Sequence, residues 1–224
     1  ERVKTQLDAN DVFRRTGYQF MSFNTLFKLM WIHENAPDAW EKTYKFMNHT
    51  GILNHRLTGR FSIDPTMAGT SMAFSVAERK WDNDLLALAG ADDSIWPDLV
   101  EPGQVIGTIQ PQAAEKTSLP VGLPVLAAGH DTQFALYGSG AALDEAILSS
   151  GTWEILLIRT HPFTPDQKTA ESGILIEQDA APGLIDPQFL MMASGTLEWV
   201  RKQFWYSDTD EGIYDKMTAE AQNV

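Results

Sequence analysis

The sequence contains no cysteine. Disulfide staples, thiolate zinc sites and cysteine nucleophiles are therefore excluded. No apolar run approaches the ~20 residues that a membrane-spanning helix needs. Positive charge is scarce: 17 Lys and Arg stand against 30 Asp and Glu, a formal net charge of -13. Such a balance argues against nucleic acid or an anionic membrane as the main partner. Histidine is scarce too. His49 and His55 are not spaced as a helical metal pair, and His33-Glu34 is followed by no second His at zinc-motif spacing. These three read as structural or surface groups. There is no internal repeat and no low-complexity tract.

What is present is ordinary for a globular protein. Hydrophobic residues make up 43% and charged residues 21%, enough apolar content to bury a core in a chain of 224 residues. The length suits one large domain or two smaller ones. A cytoplasmic enzyme fits this composition, and a homo-oligomer is compatible with it. A net negative charge does not exclude a nucleotide, because a local nest of N–H groups and Mg²⁺ outweighs the global charge.

The chemistry-bearing stretch is Gly129-His130-Asp131-Thr132, followed by Ser149-Ser150-Gly151-Thr152-Trp153. The apolar run 123–128 reads as a buried strand leading into it. Gly129 breaks that strand, and a helix starts near Asp131 and stops at Gly138 and Gly140. A carboxylate then stands at a strand end and a helix N-terminus, where the helix dipole stabilises negative charge. An ionised Asp held on rigid elements can take a proton from a hydroxyl or bind a hydrated metal. The alternative is an Asp that only caps the helix.

Residues 146–148 and 154–158 read as two strands joined by Ser149-Ser150-Gly151-Thr152. Small, hydroxyl-bearing residues let backbone and side-chain donors approach phosphate oxygens. A base followed by a phosphate cradle is what phosphoryl transfer to an alcohol requires. Taken alone, the same residues make an ordinary turn.

The rest of the chain reads as alternating helices and strands. Helices are expected over 1–16 with a stop at Gly17, over 25–35 with Ser22 or Asn24 as cap, and over 38–48. A further helix ends at Leu57-Thr58-Gly59, where glycine suits a left-handed cap. Asp64 before Pro65 reads as a turn or cap residue. Helices are also expected over 80–91 and 111–117, and a strand over 105–109. Strands follow over 173–177 and 189–192, with Gly183 and Pro187 in the turn between them. Helices over 197–206 and 214–221 close the pattern, which is compatible with an α/β core. Phe20 and Phe23 read equally well as core aromatics. Gln133 offers an amide that both donates and accepts, or else sits on the helix surface.

Gly-His-Asp-Thr, a glycine-rich helix end and Ser-Gly-Thr on a hairpin resemble the centre of the FGGY carbohydrate kinases. The likeness extends through "SFNTLFKLMWIHENAP", "LNHRLTGRFSIDPTMAGTS" and "MASGTLEWVRKQFW", so it covers nearly the whole chain. Within the family, the wording "AGHDTQFALYGSGA" and "LSSGTWEIL" is most like the branch that phosphorylates L-fuculose.

The resemblance implies a ribonuclease-H-like α/β fold of the actin/Hsp70-like superfamily in a two-domain sugar kinase. Residues 1–140 would be the C-terminal part of the N-terminal, sugar-binding domain. Residues 141–224 would begin the C-terminal, ATP-binding domain. The family's first phosphate hairpin and its adenosine site are not in these residues. The resemblance therefore implies an internal fragment that does not turn over alone.

As the resemblance implies, ATP and Mg²⁺ are the cofactors and a ketose is the acceptor. Asp131 is the base and holds Mg²⁺ through water, and Ser150, Gly151 and Thr152 line the phosphates. Gln133, Phe23 and Asn24 border the sugar. Met67 stands where other branches often have Asn, and Trp153-Glu154 where many relatives have Ser. The rival readings are another sugar kinase of the family acting on rhamnulose or xylulose, a catalytically silent sugar-binding module on the same fold, and a metal-assisted hydrolase using Asp131.

Overall fold

A computed structural model describes residues 7–206 and 212–222. The part of the first expected helix that falls in residues 1–6 lies outside this range. Local signals place most of the helices. Helix α1 (Ala9–Thr16) starts where the Asp8 carboxylate accepts the amides of Asn10 and Asp11 and ends at Gly17 with φ 75°. Helix α2 is Thr25–Asn35, with Asn24 at its cap position but making no side-chain cap bond. Helix α4 (His49–Thr58) stops at Gly59, whose φ is 73°. Helix α5 (Pro65–Gly69) is capped by Asp64.

Two expected helices are cut short by tertiary contacts. Instead of 38–48, helix α3 covers only Pro37–Glu41. Beyond it the chain turns to meet residues 94–96: the Phe46 amide donates to the Ile95 carbonyl at 2.8 Å, and Lys45 Nζ reaches the Trp96 carbonyl at 2.6 Å. Instead of 80–91, helix α6 covers Asn83–Ala87. Lys80 and Trp81 are taken by a tight turn, in which Trp81 bridges Phe74 and the Ser75 amide donates to the Lys80 carbonyl.

The described strands form three sheets. Strands β1 (Ser62–Ile63) and β2 (Asp98–Leu99) are parallel. Strands β3 (Val105–Thr108) and β4 (Pro124–Leu126) are antiparallel, with helix α7 (Pro111–Thr117) between them. The run expected to be buried is not: Leu123 is 42% and Leu126 52% exposed. Strand β4 pairs within a two-stranded ribbon, so its outer face has no cover.

Helix α8 (Asp131–Gly138) follows. The third sheet contains β5 (Ile147–Ser150), β6 (Trp153–Leu157), β7 (Leu175–Gln178) and β8 (Ile185–Met192) in the order β5-β6-β8-β7. All its neighbours are antiparallel. Helix α9 (Gln167–Glu171) precedes β7, while α10 (Ser194–Phe204) and α11 (Ile213–Ala221) follow β8.

Pro187, expected in a turn, lies within β8 opposite Ile176. Its carbonyl accepts from Ile158, on the β6 side and one step beyond the last β6 pair, Leu157 with Gln188. The missing proline N–H therefore leaves a single gap on the β6 side, and the pairing resumes in the same register at the Thr160–Ile185 bridge.

The main core joins the first hundred residues to strand β7. Val12, Leu26, Leu29, Met72, Phe74, Leu85 and Leu86 cluster with Leu175 of β7. Trp81 and Trp96 stack within it at 4.2 Å and 13°. Burial of each such side chain contributes about 1.5–3 kcal/mol. A second cluster sets Phe13 of α1 against Ile176 and Ile185. Strand β7 is thus packed on the first half of the chain.

Candidate functional site

Asp131 occupies the first turn of α8, but His130, not Asp131, holds the N-cap position. The capping role that the sequence allows is therefore not taken. The Asp131 side chain is 99% exposed. Its Oδ1 accepts the amide of adjacent Thr132 at 2.8 Å. His130 Nδ1 approaches to 3.4 Å without forming a hydrogen bond. Burial pushes the His130 imidazole below its usual range, against the pull of the Asp131 and Asp64 carboxylates. His130 is therefore neutral at pH 7, and the Asp131 side chain stands open to solvent.

The turn before Asp131 is glycine by necessity. A Cβ on Gly129 would lie 1.7 Å from Asp64 Oδ1 and 2.4 Å from Thr66 Oγ1. The strand-to-helix turn thus sits directly on the cap of α5.

The second motif forms the hairpin its pattern predicts. Ser150 pairs with Glu154, and Gly151-Thr152 makes the turn, closed by the Gly151 amide on the Trp153 carbonyl at 2.9 Å. Ser150 and Thr152 are exposed, so their hydroxyls face outward. Ser150 Oγ contacts Glu154 Oε1 at 3.4 Å. The Gly151 amide is committed to the Trp153 carbonyl, and the Ser150 and Thr152 hydroxyls remain among the groups the turn offers an anion. Trp153 is 46% exposed at the start of β6, opposite Met192.

Phe23 is 58% exposed, so the core reading fails for it, whereas Phe20 packs edge-on to Phe27 beside the main core. Asn24 is buried, donating Nδ2 to the Gln19 carbonyl at 2.9 Å and to Met72 Sδ at 2.9 Å. Its Oδ1 has no partner among the described residues. Gln133 is fully buried, not on the helix surface. Its Nε2 donates to Glu177 Oε2, and its Oε1 has no partner among the described residues. Met67 packs partly against the main core.

Helix α8 is tied to the four-stranded sheet by the bond from Gln133 to Glu177. It is tied also by Arg159, whose guanidinium lies 5.1 Å from the Tyr137 ring centroid. The bonds that place Asp131 and the 150–152 turn belong to different elements, and among the described residues no hydrogen bond joins the two motifs. The clefts lined by Trp40, Tyr44 and Ile95, and by Arg15, Glu78 and Asp82, do not include Asp131.

Sequence patterns did not reveal the buried carboxyl cluster beside α8. Glu177 and Asp186 are cross-strand partners on β7 and β8, and Asp179 follows two residues after Glu177. All three are almost fully buried. Tyr18 donates to Glu177 Oε1. Burial pushes Glu177 up to about 8. Asp186 is pushed up to about 9 by burial first and then by the charges of Asp179 and Glu177. Burial also works against the Asp179 charge, but the bonds from Arg159 hold it below its usual range. At pH 7 Glu177 and Asp186 therefore carry protons, and Asp179 is ionised. The sequence signal, in retrospect, was three polar residues directly after the apolar run Ile174-Leu175-Ile176.

The described residues contain no cluster of three or more His, Asp and Glu set to hold a metal. Asp131 supplies one hard, exposed oxygen donor. That fits Mg²⁺, which keeps most of its waters and takes one or two carboxylates together with substrate phosphates. When bound, Mg²⁺ would neutralise phosphate charge. Among the described residues no helix is long and apolar enough to cross a membrane.

Residues 1–138 match the FGGY family of carbohydrate kinases, N-terminal domain. The chain is 43% identical over 209 residues to an L-fuculokinase of Escherichia coli, covering 93% of this chain and 44% of that protein. It is 41% identical over 227 residues to an L-fuculokinase of Haemophilus influenzae, covering 100% of this chain and 48% of that one. The chain thus spans about half the length of the curated relatives it matches. The structure of xylulose kinase from Rhodospirillum rubrum superposes with a TM-score of 0.86 at 23% identity, covering 100% of this chain and 45% of that one. That likeness shows a shared fold.

Proposed function

Because the chain belongs to the FGGY family of carbohydrate kinases, we propose that it is part of an ATP-dependent ketose kinase. The reaction proposed moves the γ-phosphoryl of ATP to the 1-hydroxyl of L-fuculose. The observation that carries the sugar is the 41–43% identity to two L-fuculokinases across 93–100% of the chain. The base is supported by geometry: the Asp131 carboxylate is 99% exposed and is not used as a helix cap.

Asp131 orients the sugar hydroxyl and accepts its proton, and through water it holds Mg²⁺. In a loose phosphoryl transition state, positioning and charge stabilisation dominate, so a strongly basic group is not required. The Ser150 and Thr152 hydroxyls and the Gly151 turn line the phosphates. Exposed Phe23 borders the sugar. Asn24 and Gln133 are buried together with their unpartnered oxygens, so they back the site from inside and do not touch the sugar. Residues 1–140 belong to the sugar-binding domain and 141–224 to the ATP-binding domain of a cytoplasmic enzyme. The 224 residues alone do not turn over.

The test is a coupled ADP-release assay on the full-length protein with L-fuculose, L-rhamnulose, L-ribulose and D-xylulose side by side. Preference for L-fuculose is expected. Preference for another ketose would discard the sugar and keep the kinase, while ATP binding without turnover on any sugar would favour a silent sugar-binding module.

A further inference from the structure

Among the described residues, Asp131 has no side-chain support beyond its own neighbours in sequence. Its Oδ1 takes the Thr132 amide, and the adjacent His130 ring stands at 3.4 Å without bonding. The backbone of the Gly129-His130 turn must therefore set its position. That backbone is held from α5. The His130 amide donates to Thr66 Oγ1 at 2.9 Å, across a separation of 64 residues. Thr66 is completely buried, and its hydroxyl in turn donates to Asp64 Oδ2 at 2.7 Å. Asp64 is 4% exposed and is itself fixed by the amides of Thr66 at 3.3 Å and Met67 at 3.2 Å.

We propose that Thr66, held by Asp64, is a positioning residue for Asp131. A hydroxyl has one hydrogen. Here it is given to Asp64, which leaves a lone pair aimed at the His130 amide. The relay also polarises the hydroxyl, which makes it a better acceptor. Cap formation alone does not account for Thr66, because α5 is capped by the Asp64 carboxylate accepting backbone amides. The hydroxyl adds a bond that leaves the helix and ends one residue before Asp131. Gly129 fits this role, since a Cβ there would collide with both Asp64 and Thr66. The close approach lets a buried side chain reach the backbone of the catalytic turn.

This inference rests on Asp131 being the base, so the experiment carries that reading as its own control. In the full-length kinase, steady-state constants are measured for wild type, Thr66→Val, Thr66→Ser, Asp64→Asn and Asp131→Asn. Valine keeps the shape of threonine and removes the hydroxyl. Displacement of a catalytic group by about 1 Å costs on the order of 10²-fold. Thr66→Val is therefore expected to lower kcat about 10- to 100-fold, with KM for ATP and sugar within about twofold. Serine restores the hydroxyl and is expected to return kcat to within about threefold of wild type. Asp64→Asn keeps an acceptor but weakens it, so a smaller fall in kcat at unchanged KM is expected.

If Thr66→Val does not fold, Asp64→Asn and Thr66→Ser decide the matter: full kcat in Asp64→Asn overturns the proposal. So does full kcat in Thr66→Val, or loss of kcat that serine fails to restore and that tracks the fall in Tm. If Asp131→Asn retains turnover, the base assignment itself fails. If Asp131→Asn is dead while Thr66→Val is fully active, the positioning role alone fails.

Discussion

Tyr18 donates its phenolic hydroxyl to the carboxyl of Glu177, a residue 159 positions away in sequence. The bond joins the end of the first helix to an edge strand of the four-stranded sheet, and Gln133 of α8 takes the other oxygen of the same carboxyl. Backbone contact reinforces it, because the Ile176 amide donates to the Gly17 carbonyl at 2.8 Å. Three segments far apart in the chain meet on one buried group. Tyr18→Phe leaves one Glu177 oxygen buried without its donor and should cost about 1–3 kcal/mol of stability, read from urea denaturation.

The same carboxyl makes stability depend on pH. Glu177 rises from an ordinary value of 4.5 to about 8 in the fold because burial disfavours its charge. Above pH 4.5 the unfolded chain releases this proton while the folded chain keeps it. Its contribution is therefore complete below pH 4.5 and is lost as pH rises towards about 8. Asp186, pushed up to about 9, acts in the same direction. Tm measured across this range should fall less steeply in Glu177→Gln than in wild type. Parallel curves would show that Glu177 is not protonated in the fold.

Arg159 and Asp179 form a two-bond pair, with Nε to Oδ2 at 2.6 Å and Nη2 to Oδ1 at 3.0 Å. The Asp179 side chain has no exposure and Arg159 only 11%. Arg159→Ala strands a buried charge and should cost about 3–5 kcal/mol. Arg159→Lys keeps the charge but not the planar fork, so an intermediate loss is expected. Equal urea midpoints for wild type and Arg159→Ala would show that the pair contributes nothing.

Two helix-ending glycines should respond differently to alanine. Gly17 and Gly59 have similar φ values of 75° and 73°. A Cβ on Gly59 meets nothing within 4 Å, whereas one on Gly17 would lie 2.1 Å from the Ile176 carbonyl oxygen. Gly59→Ala should cost only the left-handed strain, about 1–2 kcal/mol. Gly17→Ala adds a collision with the backbone of β7 and should cost about 3 kcal/mol or more. Similar Tm losses for the two variants would mean that β7 moves aside freely.

Asp131→Asn in the full-length protein should lower kcat by about 10²-fold or more, the range lost with a general base. Sugar affinity, measured by calorimetry, should stay within about threefold, because the amide keeps the size of the carboxyl. Near-normal turnover would remove Asp131 from the mechanism.

The sequence by itself determined the local elements and the family. Helix α2 lies where its apolar stripe put it, Gly17 and Gly59 stop their helices, Asp64 caps α5, and Ser-Ser-Gly-Thr turns between two antiparallel strands. These features depend on contacts within a few residues, so local chemistry is enough to set them.

Only the tertiary structure decided where the helices over 38–48 and 80–91 break, because their backbone groups bond to residues 94–96 and to the Phe74 turn. It also decided that Gln133 faces inward, that Glu177 and Asp186 share a buried face, and that Thr66 reaches His130. Each of these joins segments between 9 and 64 residues apart. A polar residue in an apolar run gives no sign of its partner. Which charge is buried, and what answers it, is fixed only when the chain has closed on itself.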